Sequence, residues 1–211
     1  MKAIIILHEI YGINRYILTS KEKFQSLGFD VYCPDFYGGK VFDYNDKDAA
    51  YTYFFEHVGL EAYHIVWNLV DELKTRYESV FIAGYSVGAT LAWRCSENPN
   101  CTGIVACYGS RIRDYLPITP QCPVLLIFAA KDTFDVCSVV KTLQNIPHTT
   151  VESFPAEHGF LDPYSSSYDM MQAMEAENRI KNFLFCQMQK QCSIIRHLLV
   201  KRGQETGLHG T

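Results

Sequence analysis

A serine flanked by two glycines is the first candidate for chemistry in this chain. Gly84-Tyr85-Ser86-Val87-Gly88 has the Gly-x-Ser-x-Gly spacing of a nucleophile elbow, a sharp strand-to-helix turn that exposes the serine hydroxyl. The apolar run 79–83 before it predicts a buried strand, and residues 89–95 after it predict a helix. Serine is a weak nucleophile on its own and needs a base that an acid orients. The alternative is that Ser86 only fills a tight turn of an α/β domain.

Asp132 and His158 are the expected acid and base. Asp132 follows the apolar run 124–129, and His158 follows the predicted strand 149–154. Ligands of parallel sheets bind beyond the carboxyl ends of the strands, where both residues fall together with Ser86. The pattern predicts a hydrolase in which Ser86 attacks, His158 transfers the proton and Asp132 orients the imidazole. The alternative acid is Asp135, and the alternative bases are His8, His57, His64, His148, His197 and His209.

Other groups of the expected site follow from the same placement. The backbone N–H groups of Val87 and Ile10 are expected to form an oxyanion hole. Glu9 lies after the first strand, and a catalytic and a structural role remain equally open. Substrate contacts are expected from an arginine and four aromatic residues: Arg111, Tyr11, Tyr37, Tyr85 and Phe160. Core packing of the aromatic rings and a solvated Arg111 are the alternatives.

Strands and helices alternate along the chain, which predicts an α/β fold: a three-layer α/β/α sandwich around a mostly parallel sheet. One helix is expected over residues 60–77, with Ile65, Leu69 and Leu73 on its buried stripe. Residues 41–58 predict a loop with a short helix, and 168–185 a closing helix. We therefore expect one α/β domain over 1–185, and a helical extension and tail over 186–211.

Composition narrows the possible partners. The 211 residues carry a net charge of −4 and no long basic run, so neither nucleic acid nor an anionic membrane is an expected partner. No segment predicts a membrane span or a signal peptide, which favours a cytoplasmic protein. The eight cysteines form no C-x-x-C pair, and neither a metal site nor a cofactor is expected. The apolar pairs within 186–211 suggest docking or formation of a homo-oligomer.

Five motifs together resemble the dienelactone hydrolase family of α/β-hydrolases, over about residues 3–185. They are the segments 7–14 (LHEIYGIN), 34–37 (PDFY), 84–88 (GYSVG), 130–132 (AKD) and 158–160 (HGF). The resemblance implies an α/β-hydrolase fold without a large lid domain, and hydrolysis of an ester or lactone. It also implies a triad of Ser86, Asp132 and His158.

The chain departs from the family's pattern at two places. Members similar to the founding enzyme use a cysteine nucleophile, which a glutamate matching Glu9 helps to activate; this chain has Ser86 and is identified as a serine variant. They also bind a substrate carboxylate with an arginine four residues past the histidine, where this chain has Asp162. The expected substrate is therefore a small neutral ester or lactone. A thioesterase or other acyl-transfer enzyme, and a non-catalytic α/β binding module, are the alternatives.

Overall fold

A parallel sheet forms the centre of the computed structural model, which describes the backbone of residues 1–206 and the side chains of residues 1–190. Every pair of neighbouring strands is parallel, in the order β2-β1-β3-β4-β5-β6. The strands are β1 (Lys2–Leu7), β2 (Asp30–Tyr32), β3 (Ser79–Tyr85), β4 (Gly103–Cys107), β5 (Val124–Lys131) and β6 (Thr149–Glu157).

Helices cover both faces of this sheet. They are α1 (Arg15–Ser26), α2 (Lys47–His57), α3 (Tyr63–Lys74), α4 (Val87–Arg94), α5 (Val136–Leu143) and α6 (Met170–Thr206). Alternate residues of β1 belong to two separate apolar cores, because successive strand side chains point to opposite faces. Ile5 and Leu7 pack with α3, α4 and α5, while Ile4 and Ile6 pack with α1 and α6. The predicted three-layer sandwich is confirmed.

The strand ends position the polar residues that the sequence pattern predicts for the site. Two strands are longer in the structure than predicted: β5 continues to Lys131 and β6 continues to Glu157. Asp132 and His158 are therefore each the first residue after a strand. Since neighbouring parallel strands end at the same edge of the sheet, both lie on the side of the molecule where β3 delivers Ser86.

The buried stripe of α3 differs from the prediction. The helix buries Val66, Val70 and Leu73, whereas Ile65 is 57% exposed. Residues spaced by four drift by about 40° at each step around an α-helix, whereas i, i+4 and i+7 remain nearly in line. The predicted stripe of Ile65, Leu69 and Leu73 has this spacing of four and therefore drifts away from the buried face. Residues 60–62 form a separate 3-10 turn, so the helix also begins later than predicted.

The segment 41–58 is more ordered than predicted. A 3-10 turn over Tyr44–Asp46 leads into the eleven residues of α2. Ala50 and Phe54 of α2 bury themselves in a small third core against Ile10, Tyr37 and Val87. This packing compensates for the weak amphipathic periodicity of the segment, which made the helix difficult to predict.

The last helix runs on without a break past the expected domain boundary at residue 185. Asp169 caps its first turn by accepting a hydrogen bond from the Gln172 N–H at 3.1 Å. Gln187 is buried, and the Lys2 Nζ lies 3.2 Å from the Met188 Sδ, so contacts with the sheet layer continue to residue 188. Residues 207–211 of the predicted extension and tail lie outside the described residues, and self-association through 186–211 stays a prediction.

Candidate active site

Ser86 occupies a strained turn between β3 and α4. Its backbone angles are φ 53° and ψ −115°, a region that residues with a Cβ rarely adopt. A Cβ at Gly84 would lie 2.2 Å from the Gly88 carbonyl oxygen, and one at Gly88 would lie 2.4 Å from the Leu7 carbonyl oxygen. Both glycines are therefore required where β1, β3 and α4 approach each other. The Ser86 N–H donates to the Cys107 carbonyl at 2.9 Å, which fixes the turn to β4.

A chain of hydrogen bonds joins the three predicted polar residues. The His158 Nδ1 lies 2.7 Å from the Asp132 Oδ2, and its Nε2 lies 2.9 Å from the Ser86 Oγ. An ionised carboxylate can only accept, so Nδ1 carries the proton and donates to Asp132. The Nε2 lone pair then accepts the hydrogen bond of the Ser86 hydroxyl. This is the geometry that a serine nucleophile and its base require.

The Asp132 carboxylate is held in its ionised form. Its side chain is only 4% exposed, and this burial raises its pKa. The hydrogen bond and charge of His158, with two hydrogen bonds from Thr133, outweigh burial and lower the pKa below its ordinary value. The alternative acid has another function, since the Asp135 Oδ1 accepts from the Ser138 N–H and caps α5.

Two backbone N–H groups beside Ser86 are free to donate. Ile10 and Val87 both border the cleft above Ser86, and neither N–H has an acceptor among the described residues. Val87 is the first residue of α4, where helix geometry leaves N–H groups without partners. The Ile10 N–H belongs to the loop after β1. Both residues thus lie in the wall of the cleft, and an oxyanion hole formed by their N–H groups stays a prediction.

Two carboxyl groups besides that of Asp132 lie in the wall of the cleft. Glu9 is 4% exposed, and burial raises its pKa to about 8, with the charge of Asp162 adding to the rise and the nearby Tyr108 hydroxyl acting against it. Burial also raises the pKa of Asp162, although its carboxylate accepts hydrogen bonds from the Tyr44 hydroxyl and the Tyr164 N–H. Glu9 is therefore mostly protonated at neutral pH.

The cleft has a volume of about 480 Å³ and opens over Ser86. Of the five predicted substrate contacts, the structure places Tyr11 and Arg111 on its wall. The Arg111 guanidinium is held there by the Asp114 carboxylate at 3.1 Å and the Tyr51 hydroxyl at 3.3 Å. The Arg111 side chain is thus only partly exposed to solvent, and the Asp114 carboxylate pairs with its charge.

The other three predicted substrate contacts are wrong, because their side chains lie in the core. Tyr37 is buried, and its hydroxyl donates to the Ile10 carbonyl at 2.8 Å. Tyr85 points to the opposite face of the sheet and borders a separate cavity of about 300 Å³ between α1 and α6. Phe160 is fully buried against Tyr108 and Phe154.

Several residues of the cleft wall were not predicted. Tyr44, Lys47 and Tyr51 come from the 3-10 turn and α2, and Ser165, Ser166 and Ser167 come from the loop after His158. Their contribution depends on how residues 41–57 fold back over the sheet edge. No local pattern in the sequence indicates that contact.

Within the residues whose side chains are described, no group of three or more His, Cys, Asp or Glu side chains is arranged to hold a metal ion. The seven described cysteines carry free thiols. In the described part of the chain, every helix is too short or too polar to span a bilayer.

Comparison with known proteins places these features in a family. The model of the dienelactone hydrolase family matches residues 1–187. The uncharacterized protein YczH of Bacillus subtilis (strain 168) is 37% identical over 184 residues, which cover 85% of this chain and 90% of YczH.

Two solved structures illustrate the shared fold. The dienelactone hydrolase-like promiscuous phosphotriesterase P91 from metagenomic libraries has a TM-score of 0.68 at 19% identity, covering 87% of this chain and 85% of P91. The monoacylglycerol lipase of Paleococcus ferrophilus has a TM-score of 0.60 at 16% identity, covering 87% of this chain and 94% of the lipase. The match of nearly the whole chain to the family model supports a hydrolase, and the chain belongs to the dienelactone hydrolase family.

Proposed function

We propose that this protein hydrolyses a small carboxylic ester or lactone through an acyl-serine intermediate. The observation that carries the proposal is the hydrogen-bond chain from Ser86 through His158 to Asp132, with distances of 2.9 and 2.7 Å. These are the distances at which a proton can pass from the nucleophile to its base. The strained turn at Ser86 agrees with this role, since strain of this kind is common at catalytic residues.

In the acylation step, the Ser86 Oγ attacks the acyl carbon while the His158 Nε2 takes its proton. The carbonyl oxygen becomes an oxyanion, which the N–H groups of Ile10 and Val87 would stabilise. Each donor of this kind typically lowers the barrier by about 3–4 kcal/mol. His158 then gives its proton to the leaving alcohol, and Asp132 stabilises the imidazolium throughout. In the second step, water activated by His158 attacks the acyl-serine and releases the acid.

A fluorophosphonate probe tests the proposal, because it labels only an activated serine. The wild type should be labelled, and Ser86→Ala should not. Ser26→Ala removes an exposed hydroxyl on α1 and should be labelled like the wild type. A folded wild-type protein that takes up no label would refute the hydrolase and favour a non-catalytic binding module.

A thioesterase would pass the labelling test equally well. The two activities separate by kcat/KM on an oxygen ester and a thioester of the same acyl group. The proposal requires measurable turnover of the oxygen ester that Ser86→Ala abolishes. Turnover of the thioester alone would assign the protein to the alternative class.

A further inference from the structure

His8 is a buried histidine that takes no part in the proton transfers of the proposed reaction. It directly follows β1, its side chain is 1% exposed, and its ring packs against the rings of Phe36 and Tyr37 at 5.3 and 5.0 Å. Its Nε2 is buried without a hydrogen-bond partner among the described residues. Burial of a polar ring costs free energy, and a hydrogen bond made by its other nitrogen would offset part of that cost.

That other nitrogen, the His8 Nδ1, lies 2.6 Å from the carbonyl oxygen of Glu9. A carbonyl only accepts hydrogen bonds, so Nδ1 must carry the proton and donate. Burial lowers the pKa of His8, against smaller opposing effects of this bond and of Asp35, so the ring is neutral at neutral pH. The imidazole therefore holds the Glu9 carbonyl as a neutral donor.

The Glu9 carbonyl and the Ile10 N–H are the two ends of one peptide group. A peptide group is planar and almost always trans, so fixing the direction of the oxygen fixes the N–H on the opposite side. A second contact to the same oxygen comes from the Gly12 N–H, at the longer distance of 3.4 Å. The hydrogen bond from His8 is thus the shorter of the two that orient this peptide.

We propose that His8 is a positioning residue for the oxyanion hole: its hydrogen bond to the Glu9 carbonyl holds the Ile10 N–H toward the cleft. This inference rests on the proposed function, in which Ile10 is one of the two donors. The same bond polarises the peptide, since hydrogen bonds in a chain strengthen one another by roughly 10–30%. It therefore also makes the Ile10 N–H a better donor to developing negative charge.

The test replaces His8 by residues that keep or remove the donor. The amide nitrogen of asparagine can occupy the place of Nδ1, so His8→Asn should keep kcat within about threefold of the wild type. His8→Leu lacks the donor. Loss of a whole oxyanion donor lowers kcat by about 10²–10³-fold. For a donor that is misoriented rather than lost, we expect a fall of about 10–100-fold, with KM within about threefold.

A reversible analogue of the tetrahedral intermediate distinguishes positioning from general loosening. A trifluoromethyl ketone with the acyl group of the test ester should bind His8→Leu more weakly by the same factor as the loss in kcat/KM. Tyr37→Phe removes the bond to the next peptide, at the Ile10 carbonyl, and should cost less than His8→Leu. Thermal unfolding of each variant checks that it is folded.

His8→Gln keeps the test decisive if His8→Leu does not fold. The glutamine amide extends to the place of Nε2 rather than Nδ1, so this variant should lose kcat while His8→Asn keeps it. Equal kcat in the wild type and a folded donor-free variant would overturn the inference, as would failure of His8→Asn to preserve activity. A folded wild type without activity would instead overturn the proposed function.

Discussion

Replacing Glu9 by glutamine should change how the stability of this protein depends on pH. The Glu9 carboxyl is buried beside Asp162, and it also interacts with five groups that are neutral at neutral pH: Tyr11, Tyr16, Tyr44, Cys107 and Tyr108. Burial raises the pKa of Glu9 from an ordinary 4.5 to about 8. Glutamine has nearly the shape of the protonated acid but cannot ionise.

The expected magnitude follows from the protons that each state binds. Between pH 4.5 and 8 the folded protein keeps the Glu9 proton, whereas the unfolded chain loses it. Stability falls with rising pH wherever the folded state binds more protons. One pH unit corresponds to about 1.4 kcal/mol, so this group alone should lower the free energy of unfolding by roughly 3–5 kcal/mol across that range.

Urea unfolding of the wild type and Glu9→Gln at several pH values between 5 and 8.5 measures this effect. Asp162 contributes a slope of the same sign, because burial raises its pKa too, but it is present in both proteins. The variant should therefore gain stability over the wild type as pH rises, with most of the gain reached near pH 8. Above that value the difference should level off.

The matched control is Glu22→Gln, which changes an exposed carboxyl on α1. Its unfolding free energy should follow the wild type at every pH. If the curves of Glu9→Gln and the wild type also stay parallel, Glu9 is ionised in the folded protein at neutral pH, and the argument from burial is refuted.

Two further predictions concern catalysis. His158→Ala should keep the fold and lower kcat on a p-nitrophenyl ester by roughly 10³-fold or more, as removal of a triad member usually does; unchanged turnover would mean that another base serves Ser86. A neutral aryl ester should have a higher kcat/KM than a carboxylated lactone of similar size, because the Asp162 carboxylate borders the cleft. A tenfold preference for the lactone would contradict this charge argument, and Arg111→Ala would then reveal whether Arg111 is responsible.

The positions of Ser86, Asp132 and His158 could be predicted because they depend on local patterns. Apolar β-branched runs mark the buried strands, and each of the three residues comes directly after one. A parallel sheet then brings strand ends together without any knowledge of loop structure. For the same reason the N–H groups of Ile10 and Val87 could be placed beside the nucleophile.

The residues of the cleft wall were harder to predict than the triad, because proximity in sequence does not determine the direction in which a side chain points. Tyr85 is adjacent to Ser86, yet it contributes to the core on the opposite face of the sheet. Tyr44 and Tyr51 are far from Ser86 in sequence, and they reach the cleft because α2 packs on Ile10 and Val87. That packing is a tertiary contact between residues with weak periodicity.

The turn at Ser86 has a consequence for the substitutions that this chain can accept. The close approaches at Gly84 and Gly88 involve main-chain atoms of β1, β3 and α4, so mutation at either position would require the backbone itself to move. The Ser86 side chain takes no part in those approaches. An exchange between serine and cysteine at this position replaces one atom that makes none of these approaches, so we expect the turn to persist. The scaffold is thus conservative at the flanking glycines and permissive at the nucleophile, so a lineage could change its reactive atom in a single step.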